Sequence, residues 1–139
     1  MKKYSITLLV CCFFGCSDNS VQEQPKPWLE NEASKRGFDF IYKSGFNGTR
    51  QYPEIFGGGS ALLDVEGDGD LDIYVVQGGS IHNPEQTAPA NQLFLNDGTG
   101  FFTNATKGSG ADDSGYGMGA TTGDYDNDGN LDIYVTNVG

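Results

Sequence analysis

Hydrophobic residues in this chain come in short runs, and glycines and aspartates separate them. The first run, residues 6–14, is continuous and apolar. Residues 17–27 are polar and carry two prolines. They bury too little apolar surface to order themselves, so they read as a tether. Residues 28–36 predict a short helix. Phe38, Phe40 and Tyr42 then fall at alternate positions, the period of a β-strand. Asn47-Gly48 and Gly57-Gly58-Gly59 mark turns.

From residue 57 the pattern repeats. A shift of 60 positions superimposes residues 57–79 on residues 117–139, with 11 of 23 residues identical. Gly57, Gly59, Asp64, Asp68, Gly69, Leu71, Asp72, Ile73, Tyr74, Val75 and Gly79 all fall on their own residue type. Such internal similarity is the mark of a repeat architecture. In each unit one strand enters an acidic loop (residues 60–63; 120–122) and another leaves it (residues 71–76; 131–136). Between the units, residues 92–95 and 101–103 flank Asn96-Asp97-Gly98-Thr99-Gly100, which reads as a hairpin with an Asp-Gly turn. Two strands around the loop and two in the hairpin give a four-stranded antiparallel sheet per unit. A period of about 60 with four strands points to the blade of a β-propeller. The predicted fold class is therefore all-β: a partial β-propeller, incomplete in this chain.

The two loops carry the chemistry. The first runs over residues 64–72 and the second over residues 124–132. Each places carboxylates at loop positions 1, 3, 5 and 9 and a glycine at position 6. At about 4 Å and an effective dielectric near 20, each like-charge pair costs roughly 4 kcal/mol. A hard, oxygen-seeking dication removes that cost; calcium accepts a flexible geometry, while magnesium, the other candidate, demands a stricter octahedral one and retains water. An EF-hand would need a bidentate acid at position 12, where this chain has Val75 and Val135 inside apolar strands. A dockerin-type loop fails for the same reason.

The charge balance agrees. The chain has 139 residues and a formal net charge of −11, and nine of its 19 acidic residues lie in the two loops. The acidity is thus gathered at sites, and no basic patch offers itself to nucleic acid. The 21 glycines, together with nine Phe and seven Tyr, favour strands and turns. All three cysteines lie within the first 16 residues, so the body of the protein has no disulfide to staple it.

Residues 57–74 followed by residues 91–102 resemble the FG-GAP/VCBS repeat, which builds the integrin α-chain propeller and many bacterial surface proteins. Tyr116-Gly117-Met118-Gly119 before the second loop is similar to bacterial proteins that end in an ASPIC/UnbV domain, a domain this chain does not include. The resemblance covers residues 38–139. It implies that loop positions 1, 3, 5, 7 and 9 bind calcium, position 7 through its carbonyl. The first site would be Asp64, Glu66, Asp68, Asp70 and Asp72, and the second Asp124, Asp126, Asp128, Asn130 and Asp132. Glu66 has a longer arm than Asp126, so the first site is expected to be the looser one.

The N-terminus reads as a targeting signal. Lys2-Lys3 precede the nine-residue apolar run, which is too short to span a bilayer, where about 20 residues are needed. Gly15-Cys16 then resembles the cleavage site of a bacterial lipoprotein, although Phe13 and Phe14 depart from the usual pattern. Acylation of Cys16 would hold the protein outside the cytoplasm, at the outer membrane or cell surface. The domain reading is residues 1–16 as signal, 17–36 as tether and short helix, and 37–139 as about two blades, the second cut short.

Other motifs carry little. His82 is the one histidine and has no nucleophile in view. Asn47-Gly48-Thr49 and Asn104-Ala105-Thr106 fit the glycosylation sequon, which a bacterial-type signal makes accidental. There is no phosphate-binding glycine loop. The sequence therefore predicts a binding or adhesion module for a protein or glycan ligand. Two alternatives stand beside it, a propeller-fold polysaccharide-active enzyme and a structural part of an envelope assembly. Fewer than two blades cannot close a ring, so unpaired edges and poor solubility are expected of this chain by itself.

Overall fold

The computed structural model describes residues 27–81 and 89–139. The chain divides into two compact units, Met1–Glu30 and Asn31–Gly139. The described part of the first, residues 27–30, is exposed and has no regular secondary structure. Cys16, His82 and the predicted signal lie outside the described residues.

Among the described residues of the second unit, every paired strand is antiparallel. Strands β1 (Ser60–Leu63), β2 (Asp72–Val75), β3 (Gln92–Asn96) and β4 (Phe102–Asn104) form one sheet in the order β1-β2-β3-β4. Strands β5 (Tyr116–Gly123) and β6 (Asp132–Val138) form a second. The repeat is visible in the register: Leu63 pairs with Asp72 in the first sheet, and Gly123 pairs with Asp132 in the second. Each acidic loop thus connects the first two strands of its sheet. The ladder of β5 is longer than the sequence pattern predicts, because glycines with no apolar alternation still pair from Tyr116 onward.

The core lies between the sheets. Ala61, Leu63, Tyr74, Val76 and Leu93 are buried, and Ala120, Ile133 and Val135 pack against them from the second sheet. Alternation does the sorting: Ala61 and Leu63 turn inward, while Ser60 and Leu62 face out. Glycines set the spacing. A Cβ on Gly59 would stand 2.7 Å from the Gly119 Cα, and one on Gly117 would collide with Val76. The repeated glycines at these positions let β1 and β5 approach closely.

The opposite face of the first sheet is covered by residues 38–44. Phe38 stacks on Phe94 with ring centroids 4.7 Å apart and lies edge-on to Phe102 at 6.1 Å. The alternation of Phe38, Phe40 and Tyr42 predicts a strand, but the segment has no regular secondary structure and joins no ladder. Its backbone is held instead by the Gln77 side chain, whose Nε2 donates to the Ile41 carbonyl at 3.0 Å and whose Oε1 accepts the Lys43 N–H at 2.7 Å. Gly79 adds one backbone bond to the Lys43 carbonyl. The helix predicted over residues 28–36 shrinks to a single 3₁₀ turn, Ser34–Arg36, which Gly37 ends with a left-handed φ of 76°. A second 3₁₀ turn, Tyr52–Ile55, has Pro53 as its second residue and carries a Gln51–Glu54 capping box.

Candidate metal centre

Both loops fold the same way, and the reason lies in their first residue. In the first loop the Asp64 carboxylate accepts N–H groups from Gly67 at 2.7 Å, Asp68 at 3.1 Å and Gly69 at 2.9 Å. In the second, Asp124 accepts from Asp128 at 3.1 Å and Gly129 at 3.0 Å. The chain curls around one carboxylate, which only positive φ angles allow. Gly69 and Gly129 supply them at position 6, with φ of 94° and 92°. Position 4 needs one too: Gly67 takes φ 72° and Asn127 takes φ 60°. Asparagine is among the few other residues that adopt this region readily.

The last residue closes each loop. Asp72 accepts the Val65 N–H at 2.8 Å, and Asp132 accepts the Tyr125 N–H at 2.7 Å. Asp72 is buried to 1% exposure and uses its other oxygen for the Asn96 N–H at 2.8 Å. That bond ties the first loop to the β3–β4 hairpin. The Asp70 side chain also lies against Gly98 of that hairpin, where a Cβ would collide with it.

The carboxylates are gathered differently in the two loops. Asp124, Asp126 and Asp128 each present an oxygen within 4.8 Å of the others, all three exposed to solvent. Among the described residues no other group of three acids converges in this way. In the first loop Asp64 and Asp70 are half-buried, while Glu66 and Asp68 are exposed and are not drawn together with them. Asn130, at position 7, donates its backbone N–H at 2.8 Å and its Nδ2 at 3.0 Å to Asp128. Asp132 is exposed and sits outside the convergent triad.

Electrostatics track the hydrogen bonds. The Gly69 N–H chiefly holds the Asp64 carboxyl below the ordinary aspartate range, against an opposing effect of burial. The backbone and side chain of Asn130 do the same for Asp128. Both carboxyls are therefore ionised at neutral pH. Three carboxylate oxygens within 4.8 Å crowd like charge together, and an all-oxygen, flexible donor set is what a hard dication such as calcium takes. The residues present fit the ion.

The two loops border a common cleft of about 460 Å³, lined by Asp64, Glu66 and Gly67 from one and by Gly129, Asn130 and Leu131 from the other. A linear repeat does not reveal their adjacency, since it depends on the packing of β1 against β5. The hairpin's own acid, Asp97, likewise reads in the sequence only as a turn residue. Its carboxylate accepts the Thr99 hydroxyl at 2.6 Å and the Thr99 N–H at 2.9 Å. Among the described residues no helix is long and apolar enough to cross a membrane.

The sequence profile of the FG-GAP-like repeat matches residues 40–135, which takes in the first sheet, both loops and the second sheet as far as the middle of β6. No curated protein and no solved structure matches the chain. With more than half of its 139 residues covered, the chain belongs to the FG-GAP-like repeat family.

Proposed function

We propose that this chain is a calcium-stabilised part of a β-propeller that serves as a binding or adhesion module rather than as a catalyst. Its two sheets would be neighbouring blades. The convergence of Asp124, Asp126 and Asp128 carries the reading. The first calcium would be held by Asp64, Glu66, Asp68, Asp70 and Asp72, the second by Asp124, Asp126, Asp128, Asn130 and Asp132. FG-GAP-like repeats are typical of propeller modules that bind or adhere, which supports the wider role. An acyl group on Cys16 would keep the module at the bacterial envelope, with residues 17–36 as its tether.

Calorimetric titration with calcium, paired with thermal melting, tests the proposal. A dissociation constant on the order of 10⁻⁴ to 10⁻³ M is expected, as in extracellular calcium modules. At ten times that concentration each site adds about 1.4 kcal/mol of stability. Asp128→Ala should abolish the second binding event and Asp68→Ala the first. A melting curve that calcium leaves unchanged, in the parent and both variants alike, overturns the calcium assignment.

A further inference from the structure

Four times in this chain an Asn or Asp precedes a glycine in a turn: Asn47-Gly48, Asp68-Gly69, Asp97-Gly98 and Asp128-Gly129. All four share one local geometry. The side-chain oxygen of the first residue accepts the N–H two positions on, from Thr49 at 3.1 Å, Asp70 at 3.0 Å, Thr99 at 2.9 Å and Asn130 at 2.8 Å. The difference lies in the glycine between. Gly69 donates to Asp64 at 2.9 Å, Gly98 to Asn96 at 3.2 Å and Gly129 to Asp124 at 3.0 Å. The Gly48 N–H has no hydrogen-bond partner among the described residues. Asn47 also differs in charge, since its carboxamide is neutral where the other three side chains are acids.

We propose that Asn47 is a site of spontaneous deamidation. The Gly48 backbone nitrogen, having lost its proton to solvent base, attacks the Asn47 Cγ and forms a new C–N bond. The Cγ–Nδ2 bond breaks and ammonia leaves, taking up a proton from water. The five-membered succinimide that results is opened by water at either carbonyl, to give aspartate or isoaspartate at position 47. The Thr49 N–H on Oδ1 faces the negative charge that develops as Cγ becomes tetrahedral. Gly48 has φ 103° and open space where a Cβ would be, so the ring closes without a clash. At the three Asp-Gly pairs the nucleophile is engaged and the carboxylate repels it. Conversion at Asn47 places a charge beside Phe46, over whose ring the Arg50 guanidinium sits at 5.8 Å.

The test holds the folded protein at mildly alkaline pH and tracks each Asx-Gly peptide by mass spectrometry and isoaspartate detection. A synthetic peptide spanning Asn47 runs in parallel. The expected result is a one-dalton gain and isoaspartate in the Asn47 peptide alone, at a rate no slower than that of the free peptide. Gly48→Ala slows it and Asn47→Gln removes it. An Asn47 that stays intact while the free peptide converts overturns the proposal. So does isoaspartate that appears first at Asp68, Asp97 or Asp128, or a rate that Gly48→Ala leaves unchanged.

Discussion

The Asp72 carboxylate accepts the Asn96 backbone N–H at 2.8 Å, while its second oxygen accepts the Val65 N–H, also at 2.8 Å. One side chain, exposed to only 1%, thus joins an acidic loop to the hairpin of its own sheet. Its repeat counterpart Asp132 is exposed and closes only its own loop. Removing Asp72 leaves two N–H groups unsatisfied, so Asp72→Ala should cost roughly 3 kcal/mol or more. Asp132→Ala should cost about 1 kcal/mol, the ordinary worth of a single hydrogen bond. Urea denaturation in the presence of a chelator separates the two, and equal losses would refute the asymmetry.

The second loop has an asparagine, Asn127, at φ 60° where the first has Gly67. A β-branched residue there must hold a left-handed backbone at about 1–2 kcal/mol. Asn127→Val should therefore lower stability by that amount, whereas Asn127→Gly should leave it nearly unchanged. Thermal melts of the two variants decide the matter. If both behave alike, the loop adopts another backbone in solution.

What the sequence made legible was periodic. The offset of 60 located both loops and the strands β1 and β2 that flank the first, and the Asp-Gly hairpin located β3, each to within a residue or so. What it hid was relational. Phe38, Phe40 and Tyr42 have the pattern of a strand, yet a single glutamine side chain holds their segment in place of a ladder. Gly117 reads in the sequence only as the repeat match of Gly57, but its role is to admit the Val76 side chain between two sheets. The ten candidate ligands come from the family resemblance, carried onto the loop positions of this sequence. That only three of them converge comes from where the backbone amides turn each carboxylate.

Gly117 gives a direct test of that packing. Gly117→Ala forces a methyl into Val76 and toward the Gln77 carbonyl, an overpacking that costs about 1–3 kcal/mol. Gly123 is the matched control: it lies in the same strand, β5, and nothing stands within 4 Å of its Cβ position. Gly123→Ala should be neutral or stabilise slightly, because alanine restricts the unfolded chain. Denaturation midpoints that fall equally for both would show that the sheets do not approach as closely as described.

The hairpin turn sets a pH dependence. The Thr99 hydroxyl, and then its N–H, hold the Asp97 carboxyl below the ordinary aspartate value of 3.8. A depressed folded-state pKa contributes stability that is present above the unfolded value. That stability is lost as the pH falls through the folded value. The turn should therefore weaken only under acid conditions, below the ordinary aspartate range. Carboxyl titration by NMR should show Asp97 moving upward in Thr99→Val. An unchanged Asp97 titration in that variant would remove the hydroxyl as the cause.

The buried amide of Asn91 gives the sharpest energetic prediction. Asn91 is 0% exposed, and its Oδ1 accepts the Gln77 N–H at 2.7 Å. Its Nδ2 donates to the Tyr74 hydroxyl at 2.8 Å and reaches Asp113 only at 3.5 Å. Burial raises the Tyr74 pKa, so its hydroxyl is neutral across the working range. Asp113 meanwhile accepts the Asn137 Nδ2 at 3.0 Å, which carries the network into β6. Asn91→Ala strands the Gln77 N–H in the core and should cost about 1–3 kcal/mol. Double-mutant cycles resolve the side-chain partners. Coupling of Asn91→Ala with Tyr74→Phe should exceed its coupling with Asp113→Ala, because a 2.8 Å bond inside the core is screened less than a 3.5 Å contact at its exposed margin. The reverse order would mean that Asp113, and through it the second sheet, is the partner for which Asn91 is buried.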